Sequence, residues 1–429
     1  MRLQMPRAGG ESRNAETLAD GGVSLVLLLG AASVGVPGAR ERAEWLAEGL
    51  GEKEWGEALA WARRLRAEGV LLRAMRGDAP TEGERRFTWP GSAGAEAAHE
   101  RLTQLAMVAD FRQARVRGTL AEALRILEAA SIPVMLLKGA ALAGFVYRGF
   151  PDRPMEDLDV LVQPGDAGRA FDALVREHWK ASDGDRARNG DRGGALHHHL
   201  PQLRHSESGV VLEIHHSLFP VGHPFAWNEA ESWERSSKVV EGGISTRRLG
   251  NDELLLHAAI HFGWSHELRV GAWSWMRDLQ VLSRVVDPDV FWRQAADRNA
   301  LTVVTWALRL GEMLAGANTG LREVHAGAPR ESAGTARGRY ERALARHLFM
   351  DAVPNGAAPS SVWLRRRLWE KAIRPRETGY GSSRPWTSLP SAPPGRPGGL
   401  QRARGLARSL RREAPRASSW MLWLRRLLG

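Results

Sequence analysis

The sequence predicts an α/β fold in which an α/β core lies between two helical regions. Between residues 131 and 250, short apolar runs alternate with segments of helical periodicity, which is the pattern of strands connected by helices. On both sides of this core, apolar residues recur three and four positions apart, as they do on the buried face of a helix. The chain has 429 residues, of which 43% are hydrophobic, so it can bury at least one large core.

Composition and periodicity divide the chain into five segments. They are a disordered leader at 1–20, a helical N-terminal region at 21–130, the α/β core at 131–250, a helical domain at 251–318, and a basic tail at 319–429 that is rich in Pro, Gly and Arg and is predicted to be largely disordered with short helices.

The N-terminal region has a clear helical pattern, most evident at 54–75. A loop at 77–94 precedes a long helix from about 95 to 130, which we expect to break or bend near Gly118. The apolar run at 21–39 contains Gly and Pro, follows acidic residues, and falls short of the ~20 residues that span a bilayer. We therefore interpret it as a buried helix and expect a cytoplasmic protein.

The core begins with a predicted strand at 132–137, which ends at Lys138 and Gly139. A short helix, a second strand at 158–162 and a helix that starts near Pro164 follow. A Gly-rich loop is expected at 184–194. Two extended stretches at 200–205 and 209–218 are separated by three residues and predict a hairpin.

Two carboxylates stand at the start of the second strand. Side chains alternate along a strand, so Asp157 and Asp159 share one face, about 6 to 7 Å apart, and repel each other unless a cation lies between them. Glu213 lies in a second apolar strand, where a charge needs a partner. If the two strands are neighbours, three carboxylates converge on one cleft and provide ligands for two Mg²⁺ ions.

A turn that can receive phosphate precedes these carboxylates. Lys138 and Gly139 end a strand and begin a helix, where backbone N–H groups are free to bind phosphate oxygens. The glycine allows a close approach to the backbone.

These motifs resemble those of the uncharacterised bacterial nucleotidyltransferases of the DNA polymerase β-like superfamily. The matching features are Leu-Leu-Lys-Gly at 136–139, a helix with Ala-Leu-Ala and a Tyr at 140–147, Arg153, Asp-Leu-Asp-Val-Leu-Val at 157–162, and an apolar strand with Glu213 and His215. The downstream helical runs at 254–264 and 273–279 are similar as well, and the resemblance covers roughly residues 22–316.

The resemblance implies a polymerase β-like core with a mixed sheet that transfers a nucleoside monophosphate from an NTP to an unknown acceptor, a small molecule or a protein, with release of pyrophosphate. Asp157, Asp159 and Glu213 would bind Mg²⁺ or Mn²⁺ in two-metal catalysis, and Glu213 could also accept the proton of the acceptor. Lys138, Gly139 and Arg153 would bind the nucleotide, although Arg153 could instead brace the Asp loop.

The turn departs from the Gly-Ser pattern of the superfamily, because no Ser follows Lys138 and Gly139. Phosphate contacts would then come from backbone amides and Lys138. An alternative function is a catalytically weak nucleotide-binding or protein-interaction module of the same fold, of the antitoxin or biosynthetic-cluster accessory type.

The net charge of +11 lies in the tail. Residues 361–429 contain sixteen Lys and Arg against three Glu, so residues 1–360 sum to about −2. The tail could dock on the helical domain, or it could contact nucleic acid or an anionic membrane.

Cysteine is absent, which excludes disulfides, a thiolate nucleophile and Cys-ligated zinc. His257 and His261 lie four positions apart, but they lack the Glu of a zinc-protease motif, so we favour a packed helix face over a zinc site.

Overall fold

The computed structural model describes residues 21–77, 87–181, 198–220, 223–266, 272–315 and 321. The predicted leader at 1–20, the loop at 184–194 and, apart from Leu321, the tail at 319–429 lie outside these described residues.

Five helices precede the core. They are α1 (Gly21–Ala32), α2 (Ala39–Glu48), α3 (Glu52–Arg64), α4 (Glu68–Arg76) and α5 (Ala93–Ala129). The apolar α1 packs against the other short helices and against two helices of the C-terminal region, so it lies inside the protein as predicted. Among the described helices, none has both the length and the apolar character needed to cross a bilayer.

The long helix α5 contains 37 residues and begins after Ser92, whose hydroxyl accepts a hydrogen bond from the Ala95 amide at 3.3 Å. It runs without interruption through Gly118, where we predicted a break or bend. Gly118 is exposed, and its neighbours Thr119 and Leu120 are buried. Their packing compensates for the roughly 1 kcal/mol that a glycine costs inside a helix.

The core is a mixed sheet in which seven strands are described. They are β1 (Met135–Leu136), β2 (Asp157–Leu161), β3 (Trp179–Ala181), β4 (Leu203–His205), β5 (Val211–His215), β6 (Ser237–Glu241) and β7 (Ile244–Arg248). The spatial order is β3-β4-β5-β2-β1-β7-β6. Two pairs, β2 with β5 and β1 with β7, are parallel, and the other pairs are antiparallel. The predicted mixed α/β core is confirmed, as is the hairpin of β4 and β5.

A second hairpin, formed by β6 and β7, was not predicted. Glu241 pairs with Ile244, which leaves a two-residue loop of Gly242 and Gly243 with φ values of 59° and 85°. Two positive φ values in succession are typical of a type I′ turn, which glycine adopts without steric cost. The strands were missed because β6 is mostly exposed and polar.

Helices cover and extend the sheet. They are α6 (Lys138–Ala143), α7 (Ala167–Arg176), α8 (Glu229–Arg235), α9 (Asn251–Ile260), α10 (Ala272–Leu282), α11 (Pro288–Asp297) and α12 (Leu301–Ala315). One π-helical turn, His261–Ser265, continues α9. The helix α9 is buried along nearly its whole length and contacts α10, α11 and α12, which forms a C-terminal helical layer.

Candidate active site

The carboxylates are positioned by the parallel pairing of β2 and β5. In this register Asp159 lies beside Glu213, and Asp157 lies beside Val211. The alternate residues, including Leu158 and Leu212, are fully buried on the opposite face. The alternation of apolar and acidic residues therefore directs the two carboxylates to the same side of the sheet, as the sequence predicted.

Asp159 is the centre of the polar cluster and is only 3% exposed. Its Oδ1 accepts hydrogen bonds from Lys138 Nζ at 2.6 Å and His215 Nε2 at 2.9 Å. Burial by itself would raise the pKa of Asp159, but the charge of Lys138 and the hydrogen bond from His215 hold that pKa well below its usual value. The carboxylate is therefore ionised in spite of its burial.

Glu213 completes the acidic pair. Gln202 Nε2 donates to its Oε1 at 2.6 Å, and its Oε2 lies 3.5 Å from His215 Nε2 and 4.0 Å from Lys138 Nζ. Burial opposes ionisation, but His215, Lys138 and Gln202 together lower the pKa of Glu213. Two anionic groups thus stand side by side with cationic or polar donors between them.

Asp157 lies at the exposed start of β2. Partial burial, and then the neighbouring carboxylate of Asp159, raise the pKa of Asp157. The adjacent Glu156 pairs with Arg66 of the N-terminal region. The structure thus places Asp157 beside the compact cluster rather than inside it.

The cluster provides a set of metal ligands. One ligand atom each from Asp159, Glu213 and His215 lie within 4.8 Å of one another. Carboxylate oxygens suit Mg²⁺ and Mn²⁺, and the imidazole nitrogen is a ligand better suited to Mn²⁺. His215 Nδ1 is buried and has no hydrogen-bond partner among the described residues, so the ring is not locked by its second nitrogen. The residues therefore fit a divalent cation, which would take the place of the Lys138 ammonium and of the proton on His215 Nε2.

Lys138 and Gly139 begin α6 directly opposite this cluster. Lys138 has a φ of 45°, in the left-handed region that side chains other than glycine rarely adopt. Burial lowers the pKa of Lys138, but the charges of Asp159 and Glu213 outweigh it, so the net pKa is raised. At Gly139 an added Cβ would lie 3.2 Å from Met155 Sδ, so the backbone packs closely there.

Arg153 lies in a second polar cluster, at the contact with α10. Its guanidinium donates to both oxygens of the fully buried Asp278, with the shortest distances at 2.7 Å. The Tyr147 hydroxyl donates to the same carboxylate at 2.7 Å. Burial would lower the pKa of Arg153, but Asp278 raises it. The structure does not bring Arg153 together with the carboxylate cluster, and its nucleotide-binding role stays a prediction.

Two residues of the cluster were absent from the predicted site. His215 follows Glu213 by two positions, so the strand period indicated that the side chains share a face, although it did not identify a ligand. Gln202 comes from the neighbouring strand segment and carried no signal of its own. Its contact depends on the register between β4 and β5, which the sequence alone does not fix.

This arrangement defines a class of protein. A mixed sheet with acidic residues in register on adjacent parallel strands, facing a lysine at a strand-to-helix turn and enclosed by helices, is a nucleotidyltransferase-like α/β protein. A family model described as uncharacterised nucleotidyltransferase matches residues 51–320, and the chain belongs to that family. No curated protein and no solved structure matched the chain.

Proposed function

We propose that this protein transfers a nucleoside monophosphate from an NTP to an acceptor, a small molecule or a protein, and releases pyrophosphate. The observation that carries the proposal is the placement of Asp159, Glu213 and His215, whose ligand atoms lie within 4.8 Å of one another on adjacent strands. Three such ligands on rigid strands suit a bound Mg²⁺ or Mn²⁺. The family membership supports the same reaction class.

The roles of the residues follow from their positions. Asp159, Glu213 and His215 would hold one cation, and Asp157, two residues before Asp159 on the same face, would help to hold a second one. Such ions neutralise phosphate charge and activate the attacking oxygen. In the reaction, a bond forms between the acceptor oxygen and the α-phosphorus, the bond to the pyrophosphate oxygen breaks, and Glu213 accepts the acceptor proton.

Lys138 and Gly139 are proposed to bind the nucleotide directly, and Arg153 is proposed to support nucleotide binding. For Lys138 the support is direct proximity, since its ammonium already lies 2.6 Å from Asp159 and would meet a phosphate held there. For Gly139 it is the position at the start of α6, next to Lys138. Arg153 would act through its ion pair with Asp278, which fixes the segment before β2.

The test uses each labelled NTP with Mg²⁺ or Mn²⁺ in cell extract and asks which molecule acquires the label. Asp159→Asn and Glu213→Gln are each expected to lower transfer by about a hundredfold or more, because each removes charge that holds the cation. Glu207→Gln removes an exposed carboxylate from the turn of the β4–β5 hairpin and is the matched control. Full Mg²⁺- or Mn²⁺-dependent transfer by Asp159→Asn would show the proposal to be wrong.

A second candidate function is a nucleotide-binding or protein-interaction module without turnover. One observation favours it: Lys138 already supplies a cation to Asp159 at 2.6 Å and to Glu213 at 4.0 Å, in the place of a metal ion. This function predicts NTP binding in equilibrium dialysis without any transfer of label. A cytoplasmic location and a nucleic-acid or membrane contact of the basic tail remain predictions from the sequence.

A further inference from the structure

The long helix α5 exposes an apolar stripe to solvent. Met107 and Phe111, one turn apart, are each 72% exposed, and Val108 beside them is 57% exposed. Single exposed apolar side chains are common, but three on adjacent turns of one helix are typical of an interaction surface. The buried residues of α5, such as Leu102 and Val116, lie on the opposite side of the helix. The stripe is therefore open to a partner.

The stripe belongs to a longer seam with the spacing of a coiled coil. Positions that are alternately four and three residues apart lie on one side of a helix and repeat every seven residues. From Glu100 to Arg125, every position with this spacing is exposed except Ala121, which is half-buried. We call these positions the α5 seam. Its central members are Met107, Phe111, Ala114 and Gly118.

Charge and size are arranged along the α5 seam so that a reversed copy of the seam complements it. An acidic residue stands at one end and a basic residue at the other, and two large side chains are followed by two small ones. When a second copy is reversed about the midpoint between residues 112 and 113, position 100 faces 125, position 107 faces 118, and position 111 faces 114. Each contact then joins opposite charges, or a large side chain with a small one.

Gly118 is not required by the packing of a single chain. It lies inside α5, where glycine destabilises a helix, and an added Cβ there would meet nothing within 4 Å. Small residues on a helix surface allow another helix to approach closely. Two hairpins border this part of α5, since the β6–β7 turn lies against Ala121 and His205 of β4 contacts Glu122 at 3.1 Å. They leave Gly118 and Arg125 exposed.

We propose that the α5 seam is the interface of a homodimer, in which α5 of a second copy of the chain packs against it in antiparallel orientation. This inference does not depend on the proposed reaction. Parallel packing would place Glu100 against Glu100 of the partner subunit and Arg125 against the partner subunit's Arg125, which is repulsive at both ends. The basic tail is a less suitable occupant, because residues 361–429 contain sixteen Lys and Arg against three Glu, and the exposed side of α5 carries Arg115 as well.

Analytical ultracentrifugation of the full chain measures the dimer. At about 100 µM, where even a dimer with a micromolar dissociation constant is nearly saturated, the wild type should sediment as two chains. Phe111→Glu places a charge from each copy in the middle of the interface and should raise the dissociation constant by at least about a hundredfold. Trp45→Glu is the matched control, because Trp45 is a 61% exposed aromatic residue of α2 outside the seam. A monomeric wild type, or a dimer unchanged by Phe111→Glu, would overturn the inference.

Exchange of the end charges tests the orientation. Glu100→Arg would bring like charges together at both ends of the antiparallel dimer, as would Arg125→Glu, so each should raise the dissociation constant about tenfold. The double variant restores both pairs with reversed signs and should return to within about twofold of the wild type. In a parallel dimer the end contacts join like charges in all of these variants. Equal dissociation constants for the four proteins would therefore contradict antiparallel packing.

The absence of cysteine allows an independent test by cross-linking. In the proposed dimer Met107 lies beside Gly118 of the partner subunit, so a mixture of Met107→Cys and Gly118→Cys chains should form a disulfide between copies on oxidation, within the Cα separation of about 7 Å that a disulfide spans. Gly118→Cys alone should not do so, because its two copies lie eleven residues, roughly 16 Å, apart along the helix axis. A disulfide between copies of Gly118→Cys alone, or a mixture no more cross-linked than either variant, would overturn the inference.

Discussion

Lys138 occupies the space between Asp159 and Glu213 that a divalent cation would take. Its ammonium is held by both carboxylates, and its backbone adopts a left-handed conformation to reach them. In the proposed function, the same side chain would compete with the metal ion when no nucleotide is bound and would contact phosphate when one is.

Replacement of Lys138 by Met should separate these two roles. Without the ammonium, Asp159 and Glu213 lose their internal counter-charge, so the affinity for Mn²⁺ in the absence of nucleotide should increase, by about tenfold. The affinity for NTP should decrease. Isothermal titration calorimetry measures both, with Lys180→Met on the exposed side of β3 as the control. A decrease in Mn²⁺ affinity would contradict this account.

The sequence predicted the acidic residues of the site but not their contacts. The period of two placed Asp157 and Asp159 on one face of their strand, but the position of Glu213 beside Asp159 depended on the pairing of β2 with β5. The separation of Asp157 from the compact cluster, and the inclusion of His215 and Gln202, depend on strand register and on the conformation of Lys138. These are tertiary properties that no local pattern contains.

The ion pair between Arg153 and Asp278 joins the core to α10. Both residues are buried, so Arg153→Met would leave an unpaired carboxylate inside the protein and should reduce the free energy of unfolding by about 3 to 5 kcal/mol. The double variant Arg153→Met with Asp278→Asn removes both charges and keeps an acceptor for Tyr147. Urea denaturation should show it to be more stable than the single variant.

The same double variant tests the predicted role of Arg153. If it folds and binds NTP as the wild type does, nucleotide binding needs neither Arg153 nor its ion pair with Asp278. Equal destabilisation of the single and double variants would mean that the ion pair is not the source of the loss.

The β6–β7 turn offers a matched pair of glycines. Both have positive φ, but an added Cβ at Gly242 would overlap the Cβ of Ala121 on α5, whereas one at Gly243 would meet open space. Gly243→Ala should cost about 1 kcal/mol of strain, and Gly242→Ala should cost about 1 to 3 kcal/mol more. Thermal unfolding of the two variants measures the difference. Equal melting temperatures would show that the turn moves away from α5 without cost.

Element prediction succeeded where the pattern was strong and local. The strands β2, β4 and β5 and the long helix were identified because apolar residues marked them. The strands β6 and β7 were not predicted, because they are half exposed and polar. Their strand structure depends on their pairing with each other and on the pairing of β7 with β1. Tertiary pairing replaced local propensity there.

Neutral histidines that are buried or half-buried make the protein sensitive to acid. The pKa of His257 is lowered to about 3 and that of His198 to about 2, against about 6.5 in an unfolded chain. The unfolded state therefore binds more protons, and stability that is present above pH 6.5 is lost as the pH falls towards 3. Between pH 7 and pH 5, each such histidine should lower the free energy of unfolding by about 2 kcal/mol.

Urea denaturation at these two pH values, with EDTA present, measures the loss. His257→Phe retains a ring against Phe219. It should lose less free energy of unfolding between pH 7 and pH 5 than the wild type does, by the contribution of one histidine. His99→Phe, whose ring stacks on Trp89, should lose as much as the wild type. The same loss in His257→Phe as in the wild type would exclude His257 as a source.

The interior strand β1 has a consequence for how the protein is made. Its two residues pair with β2 on one side, but on the other side Leu136 needs Arg248 of β7. A ribosome that adds roughly 5 to 20 residues per second supplies this partner only of the order of ten seconds later. Until then, one edge of a buried apolar strand is open to other nascent chains, so we expect the unfinished sheet to be prone to aggregation during synthesis.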